Sequence, residues 1–124
     1  MKRICLLLTV FLTVLASAET VSWLRYPAIS PDGKNVAFSY NGDIYIVSSE
    51  GGEASQLTSN PAYDYAPVWS PDGKVLAFAS DRYGNFDIYT ISVDGGVPVR
   101  VTTHSAKETP WTFTPDGKSI LFTA

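Results

Sequence analysis

His104, Ser105 and Glu108 fall within one short stretch, and a histidine beside a hydroxyl and a carboxylate is the inventory of acyl-transfer chemistry. Triads, however, are assembled from distant segments around an oxyanion hole, and the chain contains no G-x-S-x-G nucleophile elbow. His104, the only histidine, is therefore read as a surface-loop residue, and no catalytic residue is assigned. Metal ligation lacks its ligands too, with one histidine, Cys5 as the single cysteine, and no EF-hand spacing. Both Gly-Gly pairs sit in turn signals rather than in a phosphate-cradling loop, so no cofactor is expected.

The chemistry-bearing side chains that remain are aromatic and charged, and they gather in three segments: 60–65, 81–86 and 103–108. Tyr63, Tyr65, Arg82, Tyr83, Asn85, Phe86, His104 and Lys107 form a candidate rim facing a peptide or protein partner. Structural roles stay open beside that reading. Asp81 and Arg82 could pair with Asp87, the rings could pad a seam, and Asn85 could serve a tight turn.

What positions these segments is a repeat. Ser30-Pro31-Asp32-Gly33-Lys34 returns as Ser70-Pro71-Asp72-Gly73-Lys74 and as Thr114-Pro115-Asp116-Gly117-Lys118, spaced by 40 and then 44 residues. Proline presets φ for a turn, Asp tolerates the next position, and Gly supplies the left-handed residue that a hairpin loop needs. Pro31, Asp32, Gly33, Pro71, Asp72, Gly73, Pro115, Asp116 and Gly117 are therefore structural turn residues. Val36-Ala37-Phe38, Leu76-Ala77-Phe78 and Ile120-Leu121-Phe122 follow as one apolar strand written three times. Asp43-Ile44-Tyr45 matches Asp87-Ile88-Tyr89, and Gln56-Leu57-Thr58 matches Arg100-Val101-Thr102.

Four short strands per 40-odd residues predict an all-β chain, a β-propeller built of four-stranded antiparallel blades. The blades run over about 24–60, 61–104 and 105–124, so two are complete and the third only begins. A propeller needs about four to eight blades to close its ring, which implies an N-terminal piece of a longer protein that aggregates when isolated. With alternating strand directions, the three aromatic and charged segments share one rim, and the repeated turns share the other.

Residues 1–18 read as a secretory signal peptide: Lys2 and Arg3, an apolar run from Ile4 to Leu15, then Ala16-Ser17-Ala18. Cleavage between Ala18 and Glu19 leaves no membrane span and no cysteine, and places the protein in the periplasm or outside the cell. Residues 19–124 then carry seven basic and twelve acidic side chains, a net charge of −5. No basic stripe is present, which argues against nucleic-acid binding.

The turn S-P-D-G-K, the run Ala77-Phe78-Ala79-Ser80-Asp81-Arg82-Tyr83-Gly84-Asn85-Phe86-Asp87-Ile88-Tyr89 and the closing Leu57-Thr58 resemble the WD40-like propeller repeats of TolB and of tricorn-type peptidases. Trp23-Leu24-Arg25-Tyr26-Pro27 and the stretch from Thr103 to Trp111 resemble the opening of secreted bacterial tricorn protease homologues. That resemblance implies a propeller that steers or filters peptides ahead of a PDZ domain and a serine peptidase domain of the tail-specific type. None of that domain's catalytic residues falls in this sequence. Two alternatives remain: a non-catalytic TolB-like interaction scaffold, although TolB places an α/β domain before its propeller, and the propeller of a prolyl-oligopeptidase-type enzyme.

Overall fold

Period-two, β-branched and aromatic segments bounded by Gly, Pro and Asp give ten strands in the computed structural model, which describes residues 23–124. The expected signal peptide and its expected cleavage position at Ala18 and Glu19 lie outside the described residues. The first sheet holds β1 (Arg25–Ile29), β2 (Asn35–Tyr40), β3 (Asp43–Ser48) and β4 (Ser55–Gln56), antiparallel and in sequence order. The second repeats it with β5 (Asp64–Trp69), β6 (Val75–Ser80), β7 (Asp87–Ser92) and β8 (Val99–Arg100). A two-stranded sheet follows, β9 (Thr109–Phe113) against β10 (Ile120–Thr123). This is the expected all-β array of propeller blades.

The outer strands are two residues long, yet their pairing continues through a threonine. Thr58 Oγ1 accepts the Ile44 N–H at 2.9 Å, and Thr102 Oγ1 accepts the Ile88 N–H at 2.8 Å. The hydroxyl takes the place of a ladder carbonyl where the backbone turns away to the next blade.

Each repeated turn is tied from both sides by its aspartate, a role beyond the tolerance expected of Asp there. In the first turn Asp32 Oδ1 accepts the Ser30 hydroxyl at 2.6 Å and the Lys34 N–H at 3.0 Å, while Ser30 Oγ accepts the Asn35 N–H at 2.9 Å. Ser70 with Asp72 and Thr114 with Asp116 repeat the pattern within 0.2 Å. The hydroxyl bond, with the backbone N–H second, holds all three carboxyls below their ordinary 3.8. A depressed folded-state value means that the stabilisation is present above 3.8 and disappears as pH falls through the lower folded value. Chemical denaturation midpoints should therefore drop as pH is lowered below about 4, and the triple change Asp32→Asn, Asp72→Asn, Asp116→Asn should flatten that slope. An unaltered slope would remove the turn carboxylates as its source.

Blades 1 and 2 share the principal core. Ala37, Ile44, Leu76, Phe78, Tyr89 and Ile91 are buried together, with Ile46, Leu57, Trp69 and Val93 packed around them. Trp69 also crosses between blades, donating its indole N–H to the Ala28 carbonyl at 2.8 Å. Every inner strand carries a bulge at one repeat position: residues 26–27, 66–67 and 110–111 each set two residues opposite one of the neighbouring strand. Tyr26 and Ala66 adopt φ of 54° and 55° there, immediately before a proline.

Candidate functional site

Strand direction fixes which loops meet. β1, β5 and β9 run the same way, so the β2–β3 and β6–β7 loops share a rim with the connectors into β5 and β9. The repeated turns occupy the opposite rim, where Pro31 and Pro71 approach the glycines of the next turns, Gly73 and Gly117.

The eight candidate rim residues divide into two groups. Tyr65 is buried, with its hydroxyl 2.8 Å from Thr109 Oγ1, and its ring meets Phe86 edge-on at 5.0 Å between centroids. These two rings fill the seam between blades 2 and 3 with Ala66 and Ala79. Asn85 donates its amide to the carbonyls of His104 and Ala106 at 2.7 and 3.0 Å, pinning the connector beside it. His104 Nδ1 accepts the Ala106 N–H at 3.1 Å, which ties the exposed imidazole into its own loop.

Arg82 is built into the blade. One terminal nitrogen reaches both oxygens of Asp64 at 3.1 and 3.0 Å, Nε donates to Ser80 Oγ at 2.8 Å, and the guanidinium lies 4.7 Å over the Tyr89 ring. Asp64 is fully buried and the Arg82 side chain is 13% exposed. Arg82 thus pairs with Asp64, not with Asp87 as its sequence proximity offered. Asp87 is claimed by Arg100, whose guanidinium also supports the Tyr83 ring at 5.0 Å. Asp81 accepts the Tyr63 N–H at 2.7 Å. Burial pushes the Tyr89 phenol above its usual range, with Arg100 and Arg82 opposing the rise.

Tyr63, Tyr83 and Lys107 are exposed on the rim, as is His104 within its own loop. Lys107 Nζ stands 5.1 Å from the Phe86 centroid and 5.5 Å from that of Tyr65. Around them are residues that the rim reading omitted. Trp23, Arg25, Ser39, Tyr40, Asn41 and Tyr63 line a cleft of about 330 Å³ on the inner edge of this rim. Arg25 lies 5.1 Å over the Trp23 ring, and Tyr26 meets Tyr65 at 5.3 Å. The repeat carried a signal for this grouping, because Trp23, Tyr63 and Lys107 occupy one position of the unit. Gly42, next to the cleft residue Asn41, has φ 85° and keeps a side chain away from Tyr63 Cδ2, which an added Cβ would meet at 3.3 Å.

Glu108 stands in blade 3 where Asp64 stands in blade 2. It is 2% exposed, and its Oε2 finds no partner among the described residues. No group of His, Cys, Asp and Glu among the described residues is arranged to hold a metal ion.

Residues 21–124 match the family model described as the tricorn protease N-terminal β-propeller domain. Among curated proteins, the uncharacterized peptidase YuxL of Bacillus subtilis is 47% identical over 55 residues, 40% of this chain and 8% of that protein. Among solved structures, TolB from Acinetobacter baumannii superposes with TM-score 0.68 at 32% identity, covering 79% of this chain and 26% of that one. The tricorn protease crystal structure shares the fold at TM-score 0.66 and 24% identity, over 76% of this chain and 10% of that one. The chain thus spans about a quarter or less of the length of each of these three.

Proposed function

The chain belongs to the tricorn protease N-terminal β-propeller family, and from that premise we propose that it serves an exported serine peptidase by receiving peptide at its aromatic rim. The leader-like residues 1–18 support export, and the peptidase named among the relatives supports proteolysis as the setting. The observation that carries the reading is the exposed Tyr63 and Lys107 at the Trp23–Tyr40–Tyr63 cleft and its flanking rings, with exposed Tyr83 farther out on the same rim against Arg100. Aromatic rings with cations between them give an extended peptide both apolar contact and hydrogen-bond donors. Arg82 is excluded from contact duty because Asp64 and Ser80 hold it.

The combined change Tyr63→Ala, Tyr83→Ala, Lys107→Ala in the full protein tests this. Hydrolysis of long peptides should lose about tenfold in kcat/KM, since truncated contact residues each contribute about 1 kcal/mol or less, while short peptides that never reach the rim lose little. Equal kinetics on both lengths would remove the rim from substrate handling. A TolB-like scaffold is the second reading, favoured by the 32% identity to TolB over 79% of this chain. It predicts partner binding through the same residues with no hydrolysis at all.

A further inference from the structure

We propose that the strip from Arg25 to Lys107 selects acidic peptide segments, an aromatic or apolar residue flanked by aspartate or glutamate; this rests on the peptide-receiving rim. Seven cationic side chains occur in residues 23–124. Lys34, Lys74 and Lys118 close the repeated turns on the opposite rim. Arg82 and Arg100 form the two ion pairs among the described residues. Arg25 and Lys107 are left, both exposed, and both stand at the inner edge of the aromatic rim.

The acids nearby are committed or withdrawn. Asp64 and Asp87 hold arginines, Asp43 accepts the Gln56 amide and the Asn60 N–H, Asp81 accepts the Tyr63 N–H, and Glu108 is buried. A chain with a net charge of −5 over residues 19–124 thus presents a cation-flanked strip where peptide would lie. Stacking against a ring leaves the in-plane N–H donors of a guanidinium open, the fork that takes a carboxylate in two hydrogen bonds. Tyr63 connects the ends. It lines the cleft with Arg25, and its ring stands 6.0 Å from Tyr65 and 6.4 Å from Phe86, the two rings under Lys107. A cleft of about 330 Å³ between Trp23, Tyr40 and Tyr63 has room for one large side chain.

The test uses fluorescence polarisation on the full protein with three equal-length peptides, each acetylated and amidated so that the only carboxylates are on side chains. Their central residues are Glu-Tyr-Glu, Gln-Tyr-Gln and Lys-Tyr-Lys. The glutamate peptide should bind about tenfold tighter than the glutamine one, with lysine weakest, because two exposed pairs contribute about 0.2–1 kcal/mol each. That preference should shrink in 1 M salt. The pair Arg25→Gln, Lys107→Gln should bring the glutamate and glutamine peptides to equal affinity, whatever loss the two peptides share; both side chains are exposed, so folding is kept. Equal affinity for all three peptides, lost in Tyr63→Ala, overturns acid selection and leaves the rim reading standing. A glutamate preference that survives Arg25→Gln, Lys107→Gln also overturns it. Absence of binding by all three overturns both.

Discussion

Asp64→Ala should lower the unfolding free energy by about 3–5 kcal/mol, because it strands the Arg82 guanidinium in a site built for a counter-charge. The carboxylate is fully buried and the Arg82 side chain is 13% exposed, so solvent screens this pair far less than a surface one. Both oxygens of Asp64 are within 3.1 Å of the Arg82 nitrogen. With the acid removed, the guanidinium keeps Ser80 Oγ and the faces of Tyr89 and Phe78, none of which carries negative charge. Asp64→Asn preserves shape and one acceptor, but it also removes the charge and should lose most of the same stability.

The double change Asp64→Ala, Arg82→Met distinguishes a buried pair from a merely buried residue. Replacing both partners with apolar groups is often close to neutral, so the double variant should recover most of the loss. Denaturant titration of the two single variants and the double gives the coupling directly. With total stability of about 5–15 kcal/mol typical of a domain, the single variant could fall below the folding threshold, and recovery in the double is then the readout. A loss below about 1 kcal/mol for Asp64→Ala would mean that water reaches the pair.

The partner of Arg82 is set by strand pairing and not by distance along the chain. Asp87 is five positions away and Asp64 is eighteen, so proximity favoured the wrong acid. Antiparallel pairing decides otherwise, since Asp64 lies opposite Ser80 and Arg82 follows two residues later. The register was latent in the repeat, but it needed the bulge at residues 66–67 to be placed, and an alanine at φ 55° contradicts local preference. By contrast, the blade architecture and the repeated turns were legible because local chemistry and periodicity agreed at every copy. The rim was legible as a location and not as a surface. Tyr65 and Phe86 read as contact residues because aromatic side chains in loops look alike until a neighbouring blade covers some of them. Trp23 and Arg25 read only as part of a family-like opening, although their repeat positions matched Tyr63 and Tyr65.

Phe78→Ala should cost about 3–5 kcal/mol, the range for emptying an aromatic site in a core that cannot collapse around it. The ring is fully buried at the centre of the blade 1–blade 2 seam, stacked on Tyr89 at 6.0 Å between centroids, with Arg82 5.7 Å away. Its removal opens a void and also withdraws one of the two rings that the Arg82 guanidinium faces, so the packing loss and the ion-pair network are coupled. Phe38 holds the same repeat position in blade 1 and stacks on Tyr45 at 5.8 Å, which makes it an internal control. Phe38 borders a cleft of about 370 Å³ with Leu24, Tyr40, Tyr45 and Val47 among the described residues, so truncation there widens an existing opening. Phe38 is 9% exposed where Phe78 is fully buried, so it loses fewer packing contacts, and Phe38→Ala should cost less than Phe78→Ala by about 1 kcal/mol or more. Denaturation midpoints of the two variants at constant m-value give the ordering. Equal losses would mean that the blade 1 face is covered as closely as the seam, and that Phe38 is as much a core residue as its counterpart.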